Sequence, residues 1–185
     1  MTGTFVAVVG SSGVGKDSLL DYARDRLDDP ALVFVRRAVT RPAGPGEDHD
    51  PVDPAAFDPA AYAVAWRAHG LAYGLPARID DDVRAGRVVV ANVSRAVLGE
   101  LAARYPLRVV RVSVSPEVRA ARMRARGRED AAGIAERIER PDPAPGTASD
   151  LELLNDGPLP EAGERLVAFL RELAASRPRR ASIRT

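Results

Sequence analysis

The sequence contains no cysteine, so disulfide bonds, thiolate nucleophiles and cysteine-bound zinc are excluded. No apolar run approaches the length of a membrane span, and the first residues lack the basic and apolar regions of a secretory signal. A net charge of +1 gives no general attraction to nucleic acids or to lipid surfaces. We therefore expect a cytoplasmic protein that binds neither nucleic acid nor membranes, and the oligomeric state stays open.

Lysine is almost absent too. Lys16 is the only lysine among the 27 lysine and arginine residues. It ends the run GSSGVGK, which fits the pattern G-x-x-x-x-G-K between a predicted strand and a predicted helix. Such a loop turns backbone N–H groups inward and adds the positive end of a helix dipole. A compact ammonium on a flexible stem can follow the β- and γ-phosphates better than a planar guanidinium. The run therefore predicts an ATP site with a catalytic Lys16, formed by Gly10, Ser11, Ser12, Gly13, Val14, Gly15 and Lys16.

The next residue, Asp17, departs from this pattern. Most such loops carry a serine or threonine here, and its hydroxyl binds Mg²⁺. The two central predicted strands also lack the aspartate that often helps to hold the metal. Since an unneutralised carboxylate would repel a triphosphate, we predict that Asp17 is a Mg²⁺ ligand, directly or through water, with Ser18 nearby. The alternative is that Asp17 only interacts with the helix dipole, which is worth about 0.5 kcal/mol.

Apolar strands alternate with amphipathic segments along the chain, which predicts an α/β fold with a mainly parallel sheet. Residues 41–61 are rich in Pro, Gly, Ala and Asp and are predicted to be mostly loop. The predicted strands are Thr4–Val9, Val33–Thr40, Tyr62–Trp66, Val88–Val93, Leu107–Val114 and Asp150–Leu154. The predicted helices are Lys16–Leu27, Ala77–Ala85, Arg95–Arg104, Pro116–Gly127, Ala131–Arg140 and Glu161–Ala175.

Several stretches occur in the order found in guanylate kinases and resemble their motifs. They are TRP at 40–42, GE at 46–47, YG at 73–74, RM and RGRE between 122 and 129, Arg137, and ND at 155–156. The resemblance implies a three-layer P-loop NTPase fold in a single domain, residues 1–178. It also implies an acceptor-binding lobe near 36–78 and an arginine-bearing lid near 116–140, followed by a frayed basic tail at 179–185.

Some residues that guanylate kinases use for their acceptor are missing. The second acceptor arginine falls on Gly44, the phosphate-binding tyrosine near Asp53, and the guanine-reading glutamate near Val64. The acids of the following strand are replaced around Asn92 and Ser94. An apolar residue would leave the guanine N–H groups without acceptors, which is costly. GMP is therefore not the expected acceptor.

The sequence resembles more closely the ribose 1,5-bisphosphate phosphokinases of phosphonate breakdown. The matching strings are GSSGVGKDSLL, VTRP, GEDH, WRAHGLAYGLP, NVSR, RGRE and NDG. Members of that family use ATP to phosphorylate the 1-phosphate of ribose 1,5-bisphosphate, giving 5-phosphoribosyl 1-diphosphate. A nucleoside monophosphate kinase with altered base recognition and an inactive guanylate-kinase-like binding module remain the alternatives.

The resemblance also implies roles for individual residues, with ATP as donor and Mg²⁺ as cofactor. Lid arginines Arg126 and Arg137 would close over the γ-phosphate as catalytic residues. Asp17, Ser18 and Asn155 would join the ATP site. The predicted acceptor-binding residues are Arg37, Arg41, Tyr73, Arg78, Asn92, Ser94 and Arg95.

Overall fold

The computed structural model describes residues 2–44, 48–126 and 148–176, without the side chains of residues 123 and 126. Its strands are β1 Thr4–Val9, β2 Leu32–Val35, β3 Arg37–Val39, β4 His49–Pro51, β5 Tyr62–Ala68, β6 Leu71–Pro76, β7 Val88–Asn92, β8 Leu107–Ser113 and β9 Leu151–Leu154. Its helices are α1 Lys16–Arg24, α2 Ile79–Arg84, α3 Leu98–Arg104, α4 Pro116–Arg126 and α5 Leu159–Ala175.

The core is a parallel sheet of five strands in the order β2-β7-β1-β8-β9. Strand β1 shows why this sheet is covered on both faces. Val6 and Val8 pack with α1 and α5, whereas Phe5, Ala7 and Val9 pack with α2 and α3. Because successive side chains of a strand point to opposite faces, an unbroken apolar strand requires a helical layer on each side. The result is three layers, helix–sheet–helix.

A second sheet of four strands, in the order β4-β3-β6-β5, is inserted between β2 and α2. Strand β3 pairs in parallel with β4 and antiparallel with β6, and β6 pairs antiparallel with β5. The prediction of one strand over Val33–Thr40 is wrong, because the chain leaves the core sheet at Arg36 and enters the second sheet. The Arg36 guanidinium forms ion pairs with Asp48 (2.8 Å) and Asp50 (3.2 Å) there.

The other differences from the predicted elements are local. Residues 41–61 contain β4 and two 3₁₀ turns capped by Asp53 and Asp58, and β6 was not predicted at all. The predicted helix Ala131–Arg140 and the tail 179–185 lie outside the described residues. Within the described ranges, no helix is both long enough and apolar enough to cross a bilayer.

Tyr105 provides a test of how α2 is attached to the end of α3. Its hydroxyl donates to Asp80 (2.6 Å), which also pairs with Arg104 (2.9 Å). Replacing Tyr105 by phenylalanine keeps the ring stacked on Phe5 but removes this partly buried bond, so the free energy of unfolding should fall by about 1–2 kcal/mol at pH 7. Urea unfolding measures the change, and Tyr62→Phe is the control.

The same pair of variants should behave differently at high pH. Burial, together with the bond to Asp80, raises the pKa of the Tyr105 hydroxyl well above its usual value of 10.0. Above that value the unfolded tyrosine loses its proton while the native one keeps it, so wild-type stability falls as the pH rises. The stability difference from Tyr105→Phe should therefore shrink at pH values above 10. A stability difference between the wild type and Tyr105→Phe that is as large above pH 10 as at pH 7 would contradict this prediction.

Candidate active site

The phosphate loop joins β1 to α1 at the carboxyl end of the core sheet. Gly13 and Gly15 have φ values of 87° and 86°, a left-handed conformation that glycine adopts without strain. The Lys16 ammonium lies over the loop and donates to the carbonyl oxygens of Gly10 (2.8 Å) and Ser11 (3.0 Å). The lysine predicted from the sequence is thus held against the backbone whose N–H groups form the cradle.

Two glycines of this loop are also required by close neighbours. A Cβ atom on Gly10 would lie 2.3 Å from the carbonyl oxygen of Val112 in β8. A Cβ atom on Gly15 would lie 2.6 Å from the amide nitrogen of Asn155. Both distances are far below a van der Waals contact, so the glycines let the loop pack tightly between its supports.

The segment after β9 supports this loop and the start of α4 together. Asn155 is 3% exposed, and its amide nitrogen donates to the carbonyl of Val14 (2.8 Å). The next residue, Asp156, accepts from the backbone N–H of Ser115 (2.7 Å), immediately before α4. Asn155 therefore supports the backbone of the phosphate loop, and its contact with the nucleotide stays a prediction.

Helix α4 brings two arginines to the phosphate loop. The Nε of Arg119 donates to the carbonyl of Ser12 (3.1 Å). Nη1 of Arg122 is buried, has no hydrogen-bond partner in the described part of the chain, and lies 3.6 Å from where a Cβ atom of Gly15 would be. Arg119 and Arg122 are three residues apart and so share one helix face.

Sequence reasoning did not select these two arginines. It placed Arg122 in a motif but chose Arg126 and Arg137 for catalysis. The side chain of Arg126 and all of Arg137 lie outside the described residues, so both stay predictions. The spacing of three residues between Arg119 and Arg122 on a predicted helix was the available signal. It was a weak signal because arginine is common throughout this sequence.

A second group of side chains connects the phosphate loop with the inserted sheet. Arg37 donates to the carbonyl of Asn92 (3.4 Å), lies 3.8 Å from the Asp17 carboxylate, and its guanidinium carbon is 5.6 Å from the centre of the Tyr73 ring. The amide nitrogen of Asn92 donates to Asp17 (2.5 Å). Tyr73 in turn stacks on Trp66, with ring centres 5.3 Å apart. Three of the predicted acceptor-binding residues are therefore in contact.

The remaining predicted acceptor residues follow the strands that carry this group, which are β3, β6 and β7. Arg41 follows β3, and its carbonyl bonds to the ring of the buried His49 (3.3 Å). Ser94 and Arg95 follow β7, where the Ser94 hydroxyl caps a short 3₁₀ turn. Arg78 is exposed before α2 and, among the described residues, forms no hydrogen bond or ion pair with the group.

A small cavity continues from this group along α1. It is lined by Asp17, Leu20, Arg24, Phe34, Val35, Arg37, Asp48, Val90 and Asn92. Burial raises the pKa of the nearby Asp21 carboxyl, and the charges of Asp48 and Asp17 add to the effect although Arg24 opposes it. The carboxylates of Asp17, Asp21 and Asp48 therefore lie close to the guanidinium groups of Arg24 and Arg37.

The oxygens beside the loop can be compared with the needs of Mg²⁺. The Asp17 carboxylate lies next to Asn92, whose side-chain oxygen is buried and has no hydrogen-bond partner within the described ranges. Carboxylate and amide oxygens are suitable ligands for this ion. Since those ranges contain no group of three or more His, Cys, Asp or Glu placed for a metal, most ligands would come from phosphates and water. The residues present fit Mg²⁺ on those terms.

No family model matches the chain. Its fold is nevertheless similar to those of two solved kinase structures. A guanylate kinase from Anaplasma phagocytophilum superposes with a TM-score of 0.65 at 19% identity, covering 92% of this chain and 86% of that one. A gluconokinase from Sinorhizobium meliloti 1021 superposes with a TM-score of 0.54 at 19% identity, covering 94% of both chains. Together with the phosphate loop after β1, these similarities define a P-loop protein with the guanylate-kinase fold, which confirms the predicted fold class.

Sequence comparison gives the narrower assignment. A protein from Pseudofrankia inefficax named ribose 1,5-bisphosphate phosphokinase PhnN is 58% identical over 179 residues, 94% of each chain. A protein of the same name from Chelativorans sp. is 45% identical over 185 residues, covering 94% of this chain and 87% of that one. The chain belongs to the ribose 1,5-bisphosphate phosphokinase family. The resemblance predicted from its motifs is confirmed.

Proposed function

We propose that the protein transfers the γ-phosphoryl group of ATP to the 1-phosphate of ribose 1,5-bisphosphate, giving 5-phosphoribosyl 1-diphosphate and ADP. The similarity to relatives named for this activity, over nearly the whole chain, is the main support. The proposal places the enzyme in the cytoplasm and in phosphonate breakdown.

The reaction needs little proton chemistry. The attacking oxygen belongs to a phosphate that is already ionised at neutral pH, so no general base is required. Catalysis then consists of positioning and of neutralising charge on the transferred group. This requirement matches a site built from a phosphate loop, one lysine and several arginines.

On the donor side, the loop N–H groups and Lys16 hold the phosphates. Arg122 lies against the loop with an unused buried donor, and an ATP phosphate oxygen would satisfy it. Arg126 and Arg137 remain the proposed arginines of the lid. Mg²⁺ would supply charge neutralisation for the donor phosphates, and the sequence-based prediction that Asp17 holds this ion competes with the pairing of Asp17 with Arg37.

On the acceptor side, two phosphates and a polar ring call for several cations and few apolar walls. Arg37 begins β3, Arg41 lies two residues after its end, and both are proposed to bind acceptor phosphates. Tyr73 and Asn92 complete the same group. Ser94, Arg95 and Arg78 are further proposed contacts, and the inserted segment from Arg37 to Pro76 carries three of the seven proposed residues: Arg37, Arg41 and Tyr73.

A coupled ADP-release assay with Mg-ATP tests the proposal. Ribose 1,5-bisphosphate, GMP, AMP and ribose 5-phosphate are offered separately at equal concentrations. We expect turnover with the bisphosphate alone. Turnover on a nucleotide would replace the proposal with a nucleoside monophosphate kinase, and ATP binding without turnover on any acceptor would favour a binding module.

A further inference from the structure

Asp17 occupies the loop position where a hydroxyl residue is usual, and its contacts in the structure go to the acceptor side. One carboxylate oxygen accepts from the amide of Asn92 at 2.5 Å, and the other lies 3.8 Å from Nη2 of Arg37. The two charged side chains are only 20% and 17% exposed. An ion pair so covered is less screened by solvent than a surface pair.

This contact joins two parts of the fold. Asp17 is the second residue of α1, in the core, whereas Arg37 is the first residue of β3, in the inserted sheet. Asn92, at the end of β7, bonds to both residues: its amide nitrogen to Asp17 and its carbonyl to Arg37. The three side chains form one connected group between the donor loop and the acceptor lobe.

Arg37 is held but still has hydrogen-bonding capacity. Asn92, Asp17 and the face of Tyr73 fix its guanidinium, yet its buried Nε has no hydrogen-bond partner in the described part of the chain. A buried donor without an acceptor is unfavourable, and a phosphate oxygen would relieve this cost. Holding the side chain beforehand also reduces the rotamer freedom lost when substrate binds.

We infer that Asp17 is a positioning residue that holds Arg37 in place for the acceptor's anomeric phosphate. This inference rests on the proposed function. It explains the change from hydroxyl to carboxylate, because serine or threonine could not form an ion pair with Arg37. It also explains how a carboxylate is tolerated beside a triphosphate, since Arg37 neutralises it.

Steady-state kinetics on the full chain test the inference with Asp17→Asn, Arg37→Gln and the double variant. Asp17→Asn should raise the KM for ribose 1,5-bisphosphate about tenfold, the effect of losing one partly buried ion pair. The KM for ATP and the Mg²⁺ concentration for half-maximal rate should change less than about twofold. In the Arg37→Gln background, adding Asp17→Asn should have almost no further effect, because both changes remove the same interaction.

Two further variants separate positioning from a general structural role. Asp21→Asn, one turn further along α1, changes a carboxylate that pairs with Arg24 instead and should leave the acceptor KM unchanged. Asp17→Ser gives the loop its usual residue type, so it should fold and show the same rise in acceptor KM as Asp17→Asn. Thermal unfolding of every variant confirms that the comparison is between folded proteins.

Three results would overturn the inference. A changed Mg²⁺ requirement with an unchanged acceptor KM would make Asp17 a metal ligand instead. Additive effects of Asp17→Asn and Arg37→Gln would show that Asp17 does not act through Arg37. An acceptor KM left unchanged by Asp17→Ser would also show that Asp17 does not hold Arg37 for the acceptor. Wild-type turnover decides the proposed function separately: if another phosphorylated acceptor is used, that function fails and the same variants are compared on that acceptor.

Discussion

Replacing Lys16 by arginine should lower kcat/KM for ATP by on the order of 10³, although the charge is kept. The ammonium reaches two loop carbonyls at 2.8 and 3.0 Å, in a space bounded by Gly10 and Ser11. A planar guanidinium is larger and cannot follow the phosphates from the same position. ADP release at saturating acceptor measures the loss.

Lys16→Met separates charge from shape. It should lose at least as much activity as Lys16→Arg, and both should melt near the wild-type temperature, because the loop glycines and Asn155 still support the backbone. If Lys16→Arg kept more than about a tenth of wild-type activity, a cation of any shape would suffice there. The absence of lysine from the rest of the chain would then carry no functional meaning.

Replacing Arg122 by alanine should lower kcat by about 10² to 10³, because arginines that neutralise a transferring phosphoryl group have effects of this size or larger. Nη1 of Arg122 lies beside Gly15 and is buried without a hydrogen-bond partner among the described residues. Its removal should change kcat more than the KM for ribose 1,5-bisphosphate, since the contact is on the donor side. Initial rates over both substrates separate the two constants.

Arg124→Ala is the matched control for this experiment. Arg124 lies two residues further along α4 and is exposed, so its loss should change kcat by less than about twofold. Equal losses in the two variants would mean that the charge of the helix, and not the position of Arg122, supports activity. A larger effect on the acceptor KM than on kcat would indicate that Arg122 contacts the acceptor and not ATP.

The central part of the fold was predictable because its residues leave few alternatives. Strands β1 and β7 contain the unbroken apolar runs 5–9 and 88–91, which only a sheet covered on both faces can bury. The phosphate loop follows from glycine spacing between a strand and a helix. The groups of this loop that bind phosphate lie within seven consecutive residues, so they could be recognised without knowledge of the folded structure.

The inserted sheet was harder to predict because its pattern depends on contacts between distant residues. Strand β6 contains Gly74 and Pro76, which usually argue against a strand. In the structure a Cβ atom on Gly74 would lie 2.4 Å from the Tyr62 ring, so glycine is there to let the ring pack on the backbone. The side chain that requires this glycine belongs to the neighbouring strand β5.

The site shows the same division between local and distant information. Lys16 was predictable from its own loop, whereas Arg119 contacts Ser12 across 107 positions of sequence. The pairing of Asp17 with Arg37 likewise joins a helix to a strand of the other sheet. Asp17 was recognised as unusual from its position, but its partner could be found only from the folded chain.

The inserted sheet is formed by one continuous segment, from Arg37 to Pro76, between β2 and α2. The core strands pair without it, and they carry the phosphate loop and the supports of α4. If this segment binds the acceptor as proposed, changes confined to it would alter acceptor choice while the phosphate loop stays intact. Such an arrangement would let a family exchange a nucleotide acceptor for a sugar phosphate by modular evolution, with Asp17 and Asn92 among the residues outside the segment that change in step.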